Sequence, residues 1–428
     1  MNAATPNSPA HAGAPDAGGA SATAGAAPDR PGPLAGIRIL DLASVIMGPV
    51  SAQYLADMGA DVIKVEAPEG DLTRALGPRR SDRMGAVFLT CNRNKRSIVL
   101  DMKRPEAREV LYRLAAGSDA LVHSIRSEPA AKIGLTYEAL RRHNERLVYC
   151  HVKGYSDAGA YAGQPAFDDT IQAGSGLAML QTVVAGEPRY FPSSIVDKIC
   201  GIHAAYAILL ALFHRERTGR GQQVELPMFE TMAAFNVTEH LWGEAFQPPI
   251  GPMGYESIRK GVRKPYRTKD GHLAFLPYSD LHWQKFFRLI GRPELIDDPR
   301  FCSFDARTRN PDAVFGFVEQ TLRERTTAEW VALLADQDMP MSAVNDLEGL
   351  LDHPHLASVD FWKTMEHPSE GRLRMPASPI GLSDSPAAIR RLAPRLGEHT
   401  REVLREFDFA EAEIGRLLEA GIVRECAA

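Results

Sequence analysis

Two textures alternate along the first half of the chain. Short runs that are almost wholly apolar predict strands buried on both faces, and apolar residues recurring every three or four positions predict helices. Ile37–Leu42 (IRILDL) is the first such strand. A turn at Ala43–Gly48 follows, then a helix over Val50–Met58 with Pro49 at its first position, then a second strand at Asp61–Glu66 (DVIKVE). Ser97–Leu100, Ala120–His123, Leu147–Lys153 and Gln223–Met228 predict further strands, with helices at Glu106–Ala116 and Glu138–His143 among them. Strand and helix alternating at this spacing predict an α/β fold with a large, doubly wound, Rossmann-like domain. The first turn reads ASVIMG, not GxGxxG, so it lacks the close backbone approach that a dinucleotide pyrophosphate needs. That argues against a nicotinamide dehydrogenase, although Glu66 stands where a ribose-binding acid would.

The longest apolar run is Ile199–Phe213, about right for four turns of a buried helix and too short to span a bilayer. His214–Arg217 supplies cations suited to a helix C-terminus, and Thr218–Gly219–Arg220–Gly221 breaks the chain. Asp197 stands just ahead of the run, near the start of a core helix. There the helix dipole tolerates a carboxylate while apolar surroundings reduce its solvation. Two readings fit those residues: a helix-capping acid, or a partly desolvated nucleophile.

The texture changes at both ends of this domain. Residues 1–33 are Ala, Gly, Pro and Ser with almost no large apolar side chain, which predicts a disordered tail. The first basic residue there is Arg30 and no apolar core precedes it, unlike a secretory signal. From about Pro248 prolines and glycines suggest a linker over 248–262, then a smaller α+β domain over 263–343. That domain contains a hairpin at Tyr266–Leu276 around Asp270–Gly271 and helices near Leu281–Leu289, Pro311–Arg323 and Thr327–Leu334. Residues 344–375 read as a second linker, with a strand at Gly371–Met375, and 376–428 as a return to the large domain, 34–247.

Composition narrows the function classes. A net charge of −5 gives no global reason to expect nucleic acid or an anionic membrane surface. The cysteines, five in number, are scattered without a CxxC, which supports neither a disulfide framework nor a zinc site and fits a reducing cytoplasm. Against the acidic background, Arg93, Lys95, Arg96, Lys103 and Arg104 form a dense basic cluster. It reads either as a solvated face or as a cradle for an anionic ligand such as coenzyme A.

Six phrases then occur in order: PLAGIRILDL, GADVIKVEAPEGDLTR, NRNKRSIVLDMK, FHRERTGRGQQVELPMFE, DGHLAF and LGEHTREVL. Together they make the chain, from residue 33 on, resemble the class III CoA-transferase family of the CaiB/BaiF type. The resemblance implies a ring-shaped subunit interlocked with a second copy as a homodimer. It implies acyl-CoA and a small carboxylic acid as substrates, with no resident cofactor or metal. It places the family's nucleophile at Asp197, which would pass through a mixed anhydride and an aspartyl-CoA thioester. It also implies coenzyme A contacts from Val45, Ile46 and Met47 in the first loop, and from Leu100, Lys103, Lys132, Lys153 and Tyr155. Relatives often carry Arg at the position of Ala67, and Arg74 is the nearest replacement. Racemases of the same fold need a His where this chain has Phe167, which favours transfer over racemisation; a non-catalytic coenzyme A-binding protein is the third reading. Formyl-CoA:oxalate enzymes of the family carry a glycine-rich loop where this chain reads GPMGYESIRKG, which suggests a different acid, a small dicarboxylate with succinyl-CoA as donor; Arg259, Lys260 and Arg263 then either meet its second carboxylate or are the charges of a solvated linker.

Overall fold

The structure is a computed structural model and describes residues 30–426; the predicted tail falls, apart from its last four residues, outside the described residues. Seven strands form the central sheet: β1 (Arg38–Leu42), β2 (Asp61–Glu66), β3 (Lys95–Leu100), β4 (Ala120–His123), β5 (Val148–Lys153), β6 (Gln223–Pro227) and β12 (Val423–Arg424). Their order is β12-β3-β2-β1-β4-β5-β6. All pairs are parallel except β12 on β3, so this is an α/β fold with a mostly parallel sheet. The order reverses direction between β1 and β4, and ligands of such sheets bind beyond the strands' C-terminal ends at that switch point.

Successive residues of each strand serve opposite faces. Leu40, Ile63, Ile98 and Leu121 pack against α2 (Ala107–Ala116) and the C-terminal helices α10 (Thr400–Glu406) and α11 (Glu411–Glu419). Ile39, Val62, Val122 and Val148 pack against α1 (Met47–Asp57) and α5 (Ile195–Thr218). The further helices of this body include α3 (Ser127–Lys132), α4 (Asp168–Gly174) and α6 (Met228–His240).

Helix α5 spans 24 residues, well beyond the apolar run that announced it, and ends at Gly219 with φ 75°. By length and mean hydropathy (1.7) it could cross a membrane, so the expectation that it is too short does not hold for the helix as built. One face nevertheless lies in the core through Val196, Cys200, Ala204 and Ile208. It crosses closely over α1, because a side chain at Gly201 would come within 3.0 Å of the Met47 carbonyl oxygen.

A separate apolar cluster lies between Tyr266 and Met339. It joins an antiparallel sheet, β7 (Tyr266–Arg267), β8 (His272–Phe275) and β9 (Met341–Ala343), to α7 (Asp280–Leu289), α8 (Pro311–Leu322) and α9 (Thr327–Leu334). Trp283, Phe286, Phe287 and Trp330 fill it. Between the two bodies, the stretch read mostly as linker carries an antiparallel hairpin, β10 (Trp362–His367) with β11 (Gly371–Pro376).

The basic cluster is neither a solvated face nor a ligand cradle at its first three members. Arg93 is buried in an ion pair with Asp57 at 2.7 Å. Arg96 bonds to Asp61 at 2.6 Å and to Glu402 and Glu406 at 2.9 and 2.6 Å. The Lys95 ammonium is fully enclosed by Asp41 Oδ2, the Pro49 carbonyl and Asn92 Oδ1, at 2.7–2.8 Å. These charges let β3 begin two residues earlier than its apolar run suggested, because each buried cation has its own acceptors. They also fasten the C-terminal segment to the sheet. Asn94 donates to the Ala388 carbonyl at 2.8 Å and accepts from the Arg390 and Arg391 amides at 2.6 and 3.0 Å.

Candidate active site

A cleft of about 330 Å³ opens at the switch point. Its walls come from the loop after β1 (Ser44, Val45, Met47), the loop after β4 (Ser124–Ser127) and the loop after β5 (Gly154, Tyr155, Asp157). Asp197 lines it from the first turn of α5, with Met228 beside it.

Asp197 caps nothing. Its backbone amide donates instead to Asp168 Oδ2 at 3.0 Å, so Asp168 on α4 holds the start of α5 from outside. Among the described residues, no hydrogen bond or ion pair reaches the Asp197 carboxylate. Burial, with Asp168 and Asp169 adding repulsion, pushes its carboxyl up to about 7. A nine-tenths buried carboxylate facing an open cleft, with no cation paired to it among the described residues, is poorly stabilised, which is the condition for a reactive one.

The loop after β1 is held from behind by buried charge. Lys64 donates to the Ala43 carbonyl at 3.0 Å and lies 2.9 Å from Asp71 Oδ2. Asp41 Oδ1 accepts from the Ala43 amide at 3.0 Å, and Asp71 Oδ1 from the Val45 amide at 3.3 Å. Between these ties Val45 is forced to φ 72°, a conformation that a β-branched residue resists. The turn it makes delivers Met47 into the cleft at the first residue of α1.

The structure brings together Asp197, Val45, Met47, Lys153 and Tyr155, all of which line the cleft. Ile46 precedes α1 but does not line it. Lys153 is nearly buried and pairs with Asp157 at 2.5 Å and Glu225 at 3.6 Å. Lys103 and Lys132 are largely exposed, near Glu69 at 3.7 Å and Glu128 at 2.7 Å respectively. Two expected contacts have no surface to offer. Leu100 is fully buried in the core beneath the sheet. Arg74 is enclosed with Glu66, its Nε and Nη2 each donating at 2.7 Å, and its guanidinium lies 3.6 Å from the Phe88 ring centre. The acid that imitates a ribose-binding residue is therefore the partner of Arg74. The expected dicarboxylate anchors also lie elsewhere: Arg259, Lys260 and Arg263 do not line the cleft, and Lys260 pairs with Glu256 at 3.0 Å.

Sequence reading missed the loop after β4, with Arg126 exposed on the cleft wall, and missed Leu72 and Asp168. The signal for Ser124–Ser127 was available: the segment directly follows the strand across the switch point from β1.

A profile of CoA-transferase family III matches residues 34–400. The chain belongs to CoA-transferase family III. It is 30% identical over 392 residues to the succinate–glutarate CoA-transferase of Agrobacterium fabrum, covering 90% of this chain and 98% of that one. It is 31% identical over 411 residues to the formyl-CoA:oxalate CoA-transferase of Streptomyces avermitilis, covering 91% and 99%. Among solved structures, a CaiB/BaiF family protein from Brucella suis aligns with a TM-score of 0.74 at 30% identity, over 89% of this chain and all of that one. The orthorhombic form of Rv3272 from Mycobacterium tuberculosis aligns with a TM-score of 0.75 at 30% identity, over 87% and 99%. As a family III member the protein is a CoA-transferase acting on acyl-CoA and a carboxylic acid.

Proposed function

We propose that the protein moves coenzyme A from an acyl-CoA donor to a free carboxylic acid with Asp197 as nucleophile. The observation that carries this reading is a carboxylate placed at the switch-point cleft, buried, without a cation, and with its acidity displaced. In the first step a carboxylate oxygen of Asp197 attacks the thioester carbonyl. The C–S bond breaks and coenzyme A leaves as thiolate with the electron pair, giving a mixed anhydride. The thiolate attacks the Asp197 carbonyl, releasing the donor's acid as carboxylate and leaving an aspartyl-CoA thioester. The incoming carboxylate attacks that thioester and displaces the thiolate. The thiolate then attacks the acceptor's acyl carbon and frees Asp197. No step needs a proton, a redox partner or a metal, and each intermediate keeps the energy of the original thioester. Water would discharge the anhydride, so the apolar walls, Met47 and Met228, serve the reaction by exclusion.

Coenzyme A is a substrate in this scheme, not a resident group. Tyr155, Lys153 and Arg126 line the cleft within reach of its arm, and Lys103 and Lys132 remain candidates for its phosphates on the outer surface. Succinyl-CoA is the donor we favour, since relatives are named for succinate or succinyl-CoA and glutarate. The exposed face of α5 supports a homodimer: Ile202, Tyr206, Leu210 and Phe213 recur every three or four residues on its outer side. We read that dimer as interlocked, in keeping with the family resemblance. We further read the location as cytoplasmic, a compartment in which the buried Cys91, Cys150 and Cys200 would stay as thiols.

The test is to incubate the protein with succinyl-CoA and other acyl-CoAs, trap with hydroxylamine or borohydride, and map the modified residue by mass spectrometry. Modification at Asp197, absent from Asp197→Ala, is the expected result. Coenzyme A binding without any adduct would overturn the mechanism.

A further inference from the structure

Beside the cleft lies an open recess of about 310 Å³, lined by Val45, Leu72, Thr73, Ala75, Leu76 and Phe167. Three of these, Val45, Leu72 and Phe167, also line the cleft that holds Asp197, so the two spaces adjoin one another. The recess is apolar throughout. Its one hydroxyl, on Thr73, is turned away to Asp71 Oδ1 at 2.7 Å. No cation lines it; Arg126 and Lys153 belong to the cleft. Leu72, Leu76 and Phe167 are 72, 51 and 64% exposed, an unusual amount of apolar surface beside a reactive carboxylate.

We propose that this recess receives the body of the acceptor acid, and that the acceptor is a monocarboxylic acid with an apolar body. This rests on the transfer reaction proposed above. The acid's carboxylate must come to Asp197 to react, and what lies behind it must go somewhere continuous with the cleft. A second carboxylate placed in the recess would lose its water and meet no donor, a penalty that an apolar chain does not incur; the far carboxylate of a succinyl donor stays instead in the cleft, where Arg126 and Lys153 lie. Each methylene laid against Leu72, Leu76 and Phe167 removes apolar surface on both sides from water instead. Leu72 and Leu76 sit on the short helical turn Leu72–Ala75 and the residue after it, and Asp71 caps that turn by accepting the Thr73 amide at 2.9 Å. The recess is thus a built wall of the fold.

Hexanoate and adipate test this, because they share a carbon count and differ in the far carboxylate. With whichever acyl-CoA gives the Asp197 adduct, kcat/KM for hexanoate should exceed that for adipate by about tenfold or more. Leu76→Lys should narrow or invert that ratio by lowering hexanoate and raising adipate. Leu72→Ala should lower hexanoate alone, and size-exclusion chromatography should show the wild-type oligomer for both variants. Adipate used as well as hexanoate, or an adduct that transfers to neither, would overturn the proposal while leaving the aspartyl mechanism intact. An unchanged ratio in the variants would do the same, as would a changed oligomer with an unchanged ratio, which would assign the recess to a second copy. Absence of any adduct would instead reject the mechanism.

Discussion

Replacing Asp197 by Asn should abolish transfer and make the protein more stable, in a way that depends on pH. An unperturbed aspartate titrates near 3.8, and in the cleft burial and the two neighbouring carboxylates raise it to about 7. Between those values the unfolded chain releases its proton while the folded chain keeps it. Stability therefore falls as pH rises, and above pH 7 the whole cost is present. At about 1.4 kcal/mol per pH unit the cost approaches about 4 kcal/mol. The open cleft lets water screen part of it, so about 2–4 kcal/mol is the working range. Unfolding entropy near 2.1 cal/mol/K per residue gives about 0.9 kcal/mol per degree for a chain of this length, so the gain corresponds to about 2–5 °C in Tm. Asp197→Asn should show that gain in scanning calorimetry at about pH 8 and less than about 1 °C of it at about pH 4. A gain of equal size at both pH values would refute the reasoning, as it would mean packing and not charge. A lower Tm at pH 8 would refute it more directly. The same titration appears in activity: the ionised form attacks, so kcat/KM should climb with pH and level off above about 7.

Two further outcomes follow from features away from the carboxylate. Val45→Gly removes a β-branched residue from φ 72° and should raise stability by about 1 kcal/mol, while loosening the loop and lowering kcat about tenfold or more; Val45→Ala, which keeps the strain, should hold kcat near wild type. On the paired strands β4 and β5, His151 stacks on His123 with ring centres 4.1 Å apart, and burial followed by repulsion from Lys153 drives His151 down to about 4. The folded chain refuses a proton that the unfolded chain takes below about 6.5, so stability is lost as pH falls from there toward 4. His151→Gln should flatten that part of a Tm-against-pH curve, and an unchanged slope would count against it.

The strands and their α/β alternation were legible because most are apolar from end to end. The start of β3 was not, since Lys95 and Arg96 look like loop residues until Asp41, Asp61 and Glu406 are brought to them from elsewhere in the chain. The same blindness misplaced Arg74, whose partner Glu66 lies eight residues away across a turn. A cation's address depends on where its counterion falls in three dimensions, and no periodicity records that. Asp197 was legible as an acid at the head of a core helix. Its release from capping was not, because the group that takes over, Asp168, lies 29 residues earlier on α4. The anchors expected for a dicarboxylate were misplaced for a related reason: Arg259 and Lys260 are charged in sequence, but neither lines the cleft.

The fastening of Asn94 to Ala388 and Arg390 closes a circuit of chain 294 residues long without a covalent bond. Closing so long a loop costs only slightly more entropy than closing a short one, because the cost grows with the logarithm of length. In the interlocked dimer proposed above, a second chain can pass through this circuit only while the fastening is open. Threading must then precede closure during folding, and refolding should become concentration-dependent at that step. Once shut, the circuit is guarded by Arg93 donating to the Pro376 carbonyl at 2.5 Å and by the half-buried pair Arg96–Glu406, whose rupture costs a charge its partner. Two mature subunits could therefore not separate on dilution by parting a surface; they would have to unfold locally first, so mixed tagged and untagged dimers should exchange no faster than the latch opens.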